Sequence, residues 1–428
     1  QYLLAQPQSQ LLTHAGDFKM FKLTTLTRVA ALGAIVASAG CSDTKQLLGP
    51  PTPAGGSIFK SYVAIGNSIT AGYQSSGIND STQRQSYAFL LAGQFGTQYH
   101  YAALAMPGCP PPLANTQTGA RVGSGTSTTC AARIGSSVTD ILNNVAVPGA
   151  RVLDPISGTT VASNALTTFI LGGKSQAQRA LDANPTFVSI WIGNNDVLEA
   201  GASGIIVPLA GVSPGIVSTQ AQFQTSYDAM IKALTDSEPN LKGVLIGVVQ
   251  VAGIPLMQSG ALIFSSPAIQ AGINQVAGQP VTIHSNCNGS ASLVSVPQLI
   301  PLIRSGAHPP LISCLPGVVP NTLVGDLFVL DATEQATLGA AIVGYNTYIQ
   351  AKAATIGFAY YDPNVLLAAL KASGAIPPFP NFASTNQTFG TFVSLDGVHP
   401  AQATHVLIAN SLIGVINTKY GTTVPLLP

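Results

Sequence analysis

The stretch YVAIGNSITAGY, residues 62–73, passes from an apolar segment through Gly-Asn-Ser into polar, glycine-containing sequence. Its first part has the length and composition of a buried β-strand. Ser68 therefore lies at the carboxyl end of a predicted strand, where it is either the N-cap of the next helix or a nucleophile. The two roles are compatible, because a serine at a helix start keeps its own N–H free to meet an anion.

Three later stretches are apolar enough to be strands covered on both faces, namely 186–193, 243–251 and 358–362. Between the last two, residues 333–357 have apolar side chains at helical spacing, and Thr333 is predicted to cap that helix. Strands that alternate with helices predict an α/β fold whose sheet is parallel and whose connections are helical.

The composition excludes some kinds of partner. The chain has 428 residues, of which 46% are hydrophobic and 8% charged, and its formal charge is +1. A nucleic-acid-binding surface needs a basic excess, so we expect no nucleic acid partner. Residues 74–143, 201–240 and 252–330 are rich in Gly, Pro, Ser and Thr, and they are predicted to be insertions in a single domain that spans 58–428.

The N-terminal region has the features of an export signal. Residues 20–41 contain basic residues, an apolar run too short to cross a bilayer comfortably, and small residues before Cys41. Ser38-Ala39-Gly40-Cys41 is similar to a bacterial lipobox, which predicts a lipid on Cys41; the alternative is an ordinary cleaved signal. Residues 1–19 are interpreted as an upstream, non-native segment and 42–57 as a flexible tether.

Four cysteines follow Cys41, and they allow three pairings. We predict disulfides Cys109–Cys130 and Cys287–Cys314, because each pair brackets a loop-like segment rich in Pro and Gly. Closing each loop would stabilise the protein by roughly 3 kcal/mol on the chain-entropy model.

The stretch LDGVHPAQATHVLIAN, residues 395–410, places Asp396 three residues before His399 in a turn that leads into a helical pattern. The carboxylate can then hold one imidazole nitrogen and leave the other free to act as a general base toward a serine. The alternative is that Asp396 caps a turn and His399 is a surface residue.

Two more stretches end in residues suited to a ligand site. IGNND, 192–196, follows the second predicted strand, and ligands bind at that end of parallel strands. NVAVPGARV, 144–152, places Gly149 after a short apolar segment, where its N–H can face a ligand with no Cβ in the way.

In this order, these stretches resemble the sequence blocks of the SGNH hydrolases, the GDSL-type esterases and lipases. The first block ends in Gly-Asp-Ser and matches AIGNSITAGY, with Ser68 at the nucleophile position and Asn67 where aspartate is usual. The second block matches NNVAVPGARV and Gly149. ALAMPGCPPP, with Gly108, is the alternative for that block.

The third block, Gly-x-Asn-Asp, matches residues 193–196 and assigns the functional asparagine to Asn195, not Asn194. The last block, Asp-x-x-His, matches Asp396 and His399. The resemblance implies a flavodoxin-like, three-layer α/β/α sandwich around a mostly parallel sheet, with loop-rich insertions.

The resemblance also implies a serine esterase or lipase. Ser68 would form an acyl-enzyme, His399 would be the base and Asp396 would orient it. The oxyanion hole would consist of the Ser68 and Gly149 N–H groups and the Asn195 amide. No cofactor or metal is implied.

The expected substrate is a small-molecule or lipid-like ester. The apolar stretches 253–264 and 294–303 either line the entrance as a lid or form the core of a subdomain. Carbohydrate O-acetyl ester hydrolysis is the alternative, disfavoured by a single tryptophan, Trp191. A catalytically silent, envelope-binding lipoprotein is the second alternative. The expected location is the bacterial cell envelope or the exterior, with membrane contact only through an N-terminal anchor.

Overall fold

The computed structural model describes residues 56–131, 141–157, 165–210, 213–317 and 327–428. The predicted upstream segment, the export signal and Cys41 lie outside these residues, as does most of the tether. Gly56–Phe59 form a short 3-10 helix with Phe59 fully buried, so the folded domain has begun by Gly56 and the predicted tether is two residues too long. Within the described ranges, no helix is both long and apolar enough to cross a membrane.

The central sheet has four parallel strands in the order β1-β2-β3-β9. All four predicted strands are present. The second and third end earlier than predicted. Gly193 turns the chain after the second with a φ of 110°, and asparagine side chains accept the N–H groups of residues 248–250 after the third. The strands are β1 (Tyr62–Gly66), β2 (Phe187–Trp191), β3 (Lys242–Ile246) and β9 (Ala359–Tyr361).

Helices connect the strands and cover both faces of the sheet. In chain order they are α1 (Ser68–Ala71), α2 (Asp80–Gln85), α3 (Tyr87–Phe95), α4 (Ala165–Leu171), α5 (Gln176–Leu181), α6 (Leu198–Ser203), α7 (Gln220–Ser237), α8 (Gly260–Ser265), α9 (Pro267–Ala277), α10 (Val296–Arg304), α11 (Ala332–Ile356), α12 (Pro363–Ala372) and α13 (Gln402–Tyr420).

Alternate residues of each strand pack into two separate cores. Val63 and Ile65 of β1 pack with α5, α7 and α11 on one face, whereas Tyr62 and Ala64 pack with α3 and α13 on the other. This alternation follows from the two-residue period of a strand, and it explains why the strands read as continuously apolar. The predicted three-layer α/β/α sandwich is confirmed.

The N-cap of the long helix α11 lies two residues before the predicted one. Asp331, not Thr333, is the N-cap: its carboxylate accepts from the N–H of Glu334 at 2.8 Å, and Glu334 accepts in return from the N–H of Asp331 at 2.9 Å. This reciprocal pair is a capping box, which satisfies two backbone donors that a threonine at 333 would leave unpaired.

Two of the predicted insertions contain helices of the core itself. Helix α3 lies within 74–143 and buries Tyr87, Leu91 and Phe95 against the sheet. Helix α7 lies within 201–240 and buries its apolar face on the opposite side. These two segments are therefore crossover helices with loops attached rather than pure insertions.

The described residues of the third predicted insertion, 252–317 and 327–330, build a small subdomain with its own core. It contains a three-stranded antiparallel sheet, a parallel strand pair and helices α8 to α10, and the disulfide Cys287–Cys314 lies in its centre. The other predicted disulfide, Cys109–Cys130, is also present. The small strands are β4 (Gln258–Ser259), β5 (Thr282–Ile283), β6 (Leu293–Val294), β7 (Leu311–Ile312) and β8 (Val329–Leu330).

The apolar stretches of this subdomain contribute to its core, and their role at the entrance to the site stays a prediction. Ile263, Leu299 and Ile303 are in its core, whereas Leu256 and Ile300 line a cavity beside the candidate site.

Acid should destabilise the fold through His405, which is fully buried in α13. Its Nδ1 accepts from the N–H of Tyr87 at 3.1 Å, and burial, reinforced by the charge of His399, lowers the pKa of His405 to about 3. The ordinary pKa of histidine is about 6.5. The stability that neutral His405 contributes to the fold is therefore complete above that pH and is lost as the pH falls toward the folded-state pKa. Between pH 7 and pH 4.5 the free energy of unfolding is expected to fall by about 2 to 3 kcal/mol through this residue.

The measurement is the free energy of unfolding by denaturant at pH 7 and at pH 4.5, for the wild type and for His405→Asn. The asparagine keeps an acceptor close to the position of Nδ1 but does not titrate. The wild type should lose more stability on acidification than the variant does, and an equal loss in both proteins would contradict this role of His405.

Candidate active site

Ser68 is the first residue of helix α1, and only Asn67 separates it from Gly66, the last residue of strand β1. The N-cap is Asn67, whose Oδ1 accepts from the N–H of Ile69 at 3.2 Å. Capping therefore does not occupy the Ser68 hydroxyl. The N–H of Ser68 belongs to the first turn, where backbone donors have no intrahelical acceptor.

His399 joins Ser68 to Asp396 through two hydrogen bonds. Its Nε2 lies 2.9 Å from Ser68 Oγ, and its Nδ1 lies 2.8 Å from Asp396 Oδ2. The imidazole comes from the loop that precedes α13, more than three hundred residues from Ser68 in sequence. The structure thus brings together all three residues predicted for the catalytic set.

Asp396 is held as a carboxylate by the groups around it. Its Oδ1 accepts from the backbone N–H groups of Val398 and His399, each at 2.9 Å. Burial raises the pKa of Asp396, but the charge and hydrogen bonds of His399 and the N–H of Ser76 outweigh burial, so the net pKa is well below its usual range. A carboxylate that stays ionised fixes the orientation of the imidazole.

Three serines that the sequence analysis did not identify position Asp396. The N–H of Ser76 donates to Oδ2 at 2.8 Å, and the hydroxyl of Ser394 donates to Oδ1 at 2.9 Å. Ser394 Oγ also accepts from the N–H of Ser75 at 3.0 Å. Ser75 and Ser76 have φ values of 53° and 54°, a conformation uncommon outside glycine. No sequence pattern therefore predicts this turn.

Gly149 reaches the site because the segment before it runs beside β1. The N–H of Val145 donates to Ala64 O at 3.0 Å and that of Val147 donates to Gly66 O at 3.2 Å, which continues the sheet past its first strand. Gly149 then adopts a φ of 83°, a left-handed conformation that suits glycine.

Asn195 lies in the turn after β2 and is tied to the glycine segment. Its Nδ2 donates to Ala150 O at 2.9 Å, which orients the amide and leaves the second amide hydrogen for another acceptor. The preceding Gly193 has a φ of 110°, and a Cβ there would lie 2.7 Å from the ring of Phe223. The turn therefore requires glycine at this position.

The neighbours of Asn195 have structural contacts. Asn194 is buried, and its Oδ1 accepts from the N–H of Val249 at 2.9 Å. Asp196 is fully buried, accepts from the N–H of Val152 at 2.9 Å and from the Ser218 hydroxyl, and has its pKa raised to about 6 by burial. The side chain that faces the open site is thus that of Asn195.

A cavity of about 430 Å³ opens onto these groups. Ser68, His399, Gly149 and Asn195 all line it, and Gly149, not Gly108, is the glycine on its wall. Residues near both ends of the Cys109–Cys130 loop also line the cavity. In the described part of the chain, no group of three or more His, Cys, Asp or Glu residues is arranged to hold a metal ion.

The family model for GDSL-like lipases and acylhydrolases matches residues 62–412, which include every block named above. The chain belongs to this family. A GDSL-like hydrolase acts on carboxylic esters, so the protein is a carboxylic ester hydrolase with an SGNH hydrolase fold.

Among solved structures, this GDSL-like hydrolase is similar to an acetylxylan esterase from Geobacillus stearothermophilus, at 12% identity and a TM-score of 0.36 over 85% of this chain and 95% of the other. It is also similar to an extracellular lipase from Streptomyces rimosus, at 15% identity and a TM-score of 0.32 over 84% and 99%. A family two carbohydrate esterase from Clostridium thermocellum matches at 10% identity and a TM-score of 0.34, over 87% of this chain and 66% of that one. No curated protein matches the chain in sequence.

Proposed function

We propose that the protein hydrolyses carboxylic esters through an acyl-enzyme on Ser68. The observation that carries the proposal is the continuous chain of hydrogen bonds from Ser68 Oγ through His399 to Asp396, at 2.9 and 2.8 Å, beside a cavity that Gly149 and Asn195 also line. A nucleophile hydrogen-bonded to a base, with the base oriented by a third group, is the arrangement that activates a serine.

In the first half of the reaction, His399 Nε2 takes the proton of Ser68 as its oxygen attacks the ester carbonyl carbon. Asp396 holds the imidazole in the required tautomer and stabilises the imidazolium. The Ser68 N–H, the Gly149 N–H and the free hydrogen of the Asn195 amide donate to the developing oxyanion, and each such donor contributes about 3 kcal/mol.

In the second half, the tetrahedral intermediate collapses as the C–O bond to the alcohol breaks. His399 Nε2 gives its proton to the departing oxygen, and the acyl group stays on Ser68. Water then attacks the acyl carbon with His399 again as base, which releases the acid and restores the Ser68 hydroxyl.

The apolar lining beside the site supports acyl or aryl esters of modest to long chain as substrates. The test is a series of p-nitrophenyl esters from acetate to palmitate, together with an acetylated xylooligosaccharide and with Ser68→Ala as the background. We expect saturable release of p-nitrophenolate well above that background. Turnover of the acetylated sugar alone would favour the carbohydrate alternative, and no turnover of any ester would contradict the proposal.

We also propose that residues 20–41 direct export and that Cys41 carries a lipid at the mature N-terminus. The two disulfides are compatible with export, because disulfides persist in oxidising compartments. The Cys109–Cys130 disulfide would then persist after export and hold together the loop that lines the cavity.

A further inference from the structure

A second cavity, of about 560 Å³, adjoins the first. Tyr73, Leu198 and His399 line both cavities, so the two spaces meet at the histidine. Ser68, Gly149 and Asn195 line the first cavity but not the second. The groups proposed to bind the oxyanion are therefore all on one side of the junction.

The wall of the second cavity is mostly apolar. The disulfide-bonded loop, the subdomain and the segment that leads to Asp396 contribute to it, as do Tyr73 and helix α6. Glu199 and Arg304 are exposed, and Asp396, the third carboxylate or guanidinium residue on the wall, has both of its oxygens bonded to His399 and to neighbouring groups. The rest of the wall is left mainly to apolar side chains. Those that the argument uses are Leu113, Val276, Ile300, Phe382, Leu395 and Val398.

The path of the proton decides which part of an ester can occupy each space. The carbonyl oxygen must face the donors at Gly149 and Asn195, inside the first cavity. The departing oxygen must face Nε2 of His399, because that nitrogen delivers the proton to it. The alcohol part of the ester therefore lies beside His399, which is also a lining residue of the second cavity.

We propose that the second cavity binds the alcohol moiety of the substrate and that this moiety is an apolar alkyl or aryl alcohol. The inference rests on the proposed acyl-enzyme mechanism and adds the substrate class on the leaving-group side. Apolar walls stabilise an apolar alcohol by removing its surface from water. The first cavity is left for the acyl group, against the Cys109–Cys130 loop.

Two isomeric esters separate the two spaces. Decyl acetate and ethyl decanoate have the same composition, but the long chain belongs to the alcohol in one and to the acid in the other. Val276→Trp, at the end of α9, should fill part of the second cavity. We expect it to lower kcat/KM for decyl acetate roughly tenfold or more relative to kcat/KM for ethyl decanoate, since each methylene lost from an apolar pocket is worth a several-fold discrimination.

Leu113 lines the same cavity from the disulfide-bonded loop. Leu113→Trp should therefore also lower kcat/KM for decyl acetate relative to kcat/KM for ethyl decanoate. Val343→Trp, on the exposed face of α11, is the matched control and should leave both rates unchanged. Thermal unfolding of each variant checks that the fold is retained.

A selective loss of ethyl decanoate hydrolysis in Val276→Trp and Leu113→Trp would overturn the inference, because the second cavity would then hold the acyl chain. An unchanged ratio in both folded variants would overturn it as well. If the wild type hydrolyses neither isomer nor p-nitrophenyl acetate above the Ser68→Ala background, the proposed function itself fails, which is a different result.

Discussion

Replacing Ser68 or His399 by alanine should lower kcat for ester hydrolysis by a factor of about 10⁴ or more. Ser68 Oγ supplies the bond to the acyl carbon, and His399 Nε2, 2.9 Å away, is the group placed to accept its proton. Without the hydroxyl no acyl-enzyme forms, and without the imidazole the hydroxyl keeps its proton and remains a weak nucleophile.

The measurement is steady-state hydrolysis of p-nitrophenyl butyrate by each variant and by the double variant, with circular dichroism as the check on folding. Because the two side chains act as a unit, the double variant should be no slower than the slower single variant. Folded Ser68→Ala or His399→Ala protein with wild-type turnover would refute the assignment.

Replacing Asn195 by alanine should lower kcat by about 10² to 10³ and change KM far less. The free amide hydrogen is proposed to meet the oxygen only when that oxygen carries negative charge, so the contact belongs to the transition state. The hydrogen bond from Asn195 Nδ2 to Ala150 O holds the amide in place before substrate arrives, so little reorganisation is required during the reaction.

Asn194→Ala is the matched control, since it removes the same side chain one residue earlier. Asn194 is buried and bonded to the N–H of Val249, so its loss should lower the unfolding temperature and leave kcat near that of the wild type. If Asn194→Ala lowered kcat and Asn195→Ala did not, the functional asparagine would have been assigned to the wrong residue.

The sheet and the site blocks could be predicted because the strands are mostly apolar and because β1 and β2 lead into Gly66-Asn67 and Gly193-Asn194. That pattern follows from burial on both faces and from the turn that must come next. It located β1 and β2, and it placed Ser68 and Asn195 at the same edge of the sheet. The spacing of Asp396 and His399 likewise suffices for a local turn that joins the two side chains.

Other features depend on contacts that are distant in sequence. Asn67 and Ser68 are both good N-caps, so composition alone could not show which one caps α1. The left-handed turn at Ser75 and Ser76 exists because Ser394 and Asp396 accept its N–H groups, and those residues lie more than three hundred positions away. Helix α7 was assigned to an insertion because its exposed face is rich in Gln, Ser and Thr.

The most direct test of the account is covalent labelling with a fluorophosphonate, followed by peptide mass spectrometry. The phosphonate mimics the tetrahedral intermediate, and it reacts only with a serine that a neighbouring base has activated. We predict one adduct, on the peptide that contains Ser68, and its loss in His399→Ala protein that remains folded. Labelling of another serine, or an active enzyme that stays unlabelled at Ser68, would contradict the account.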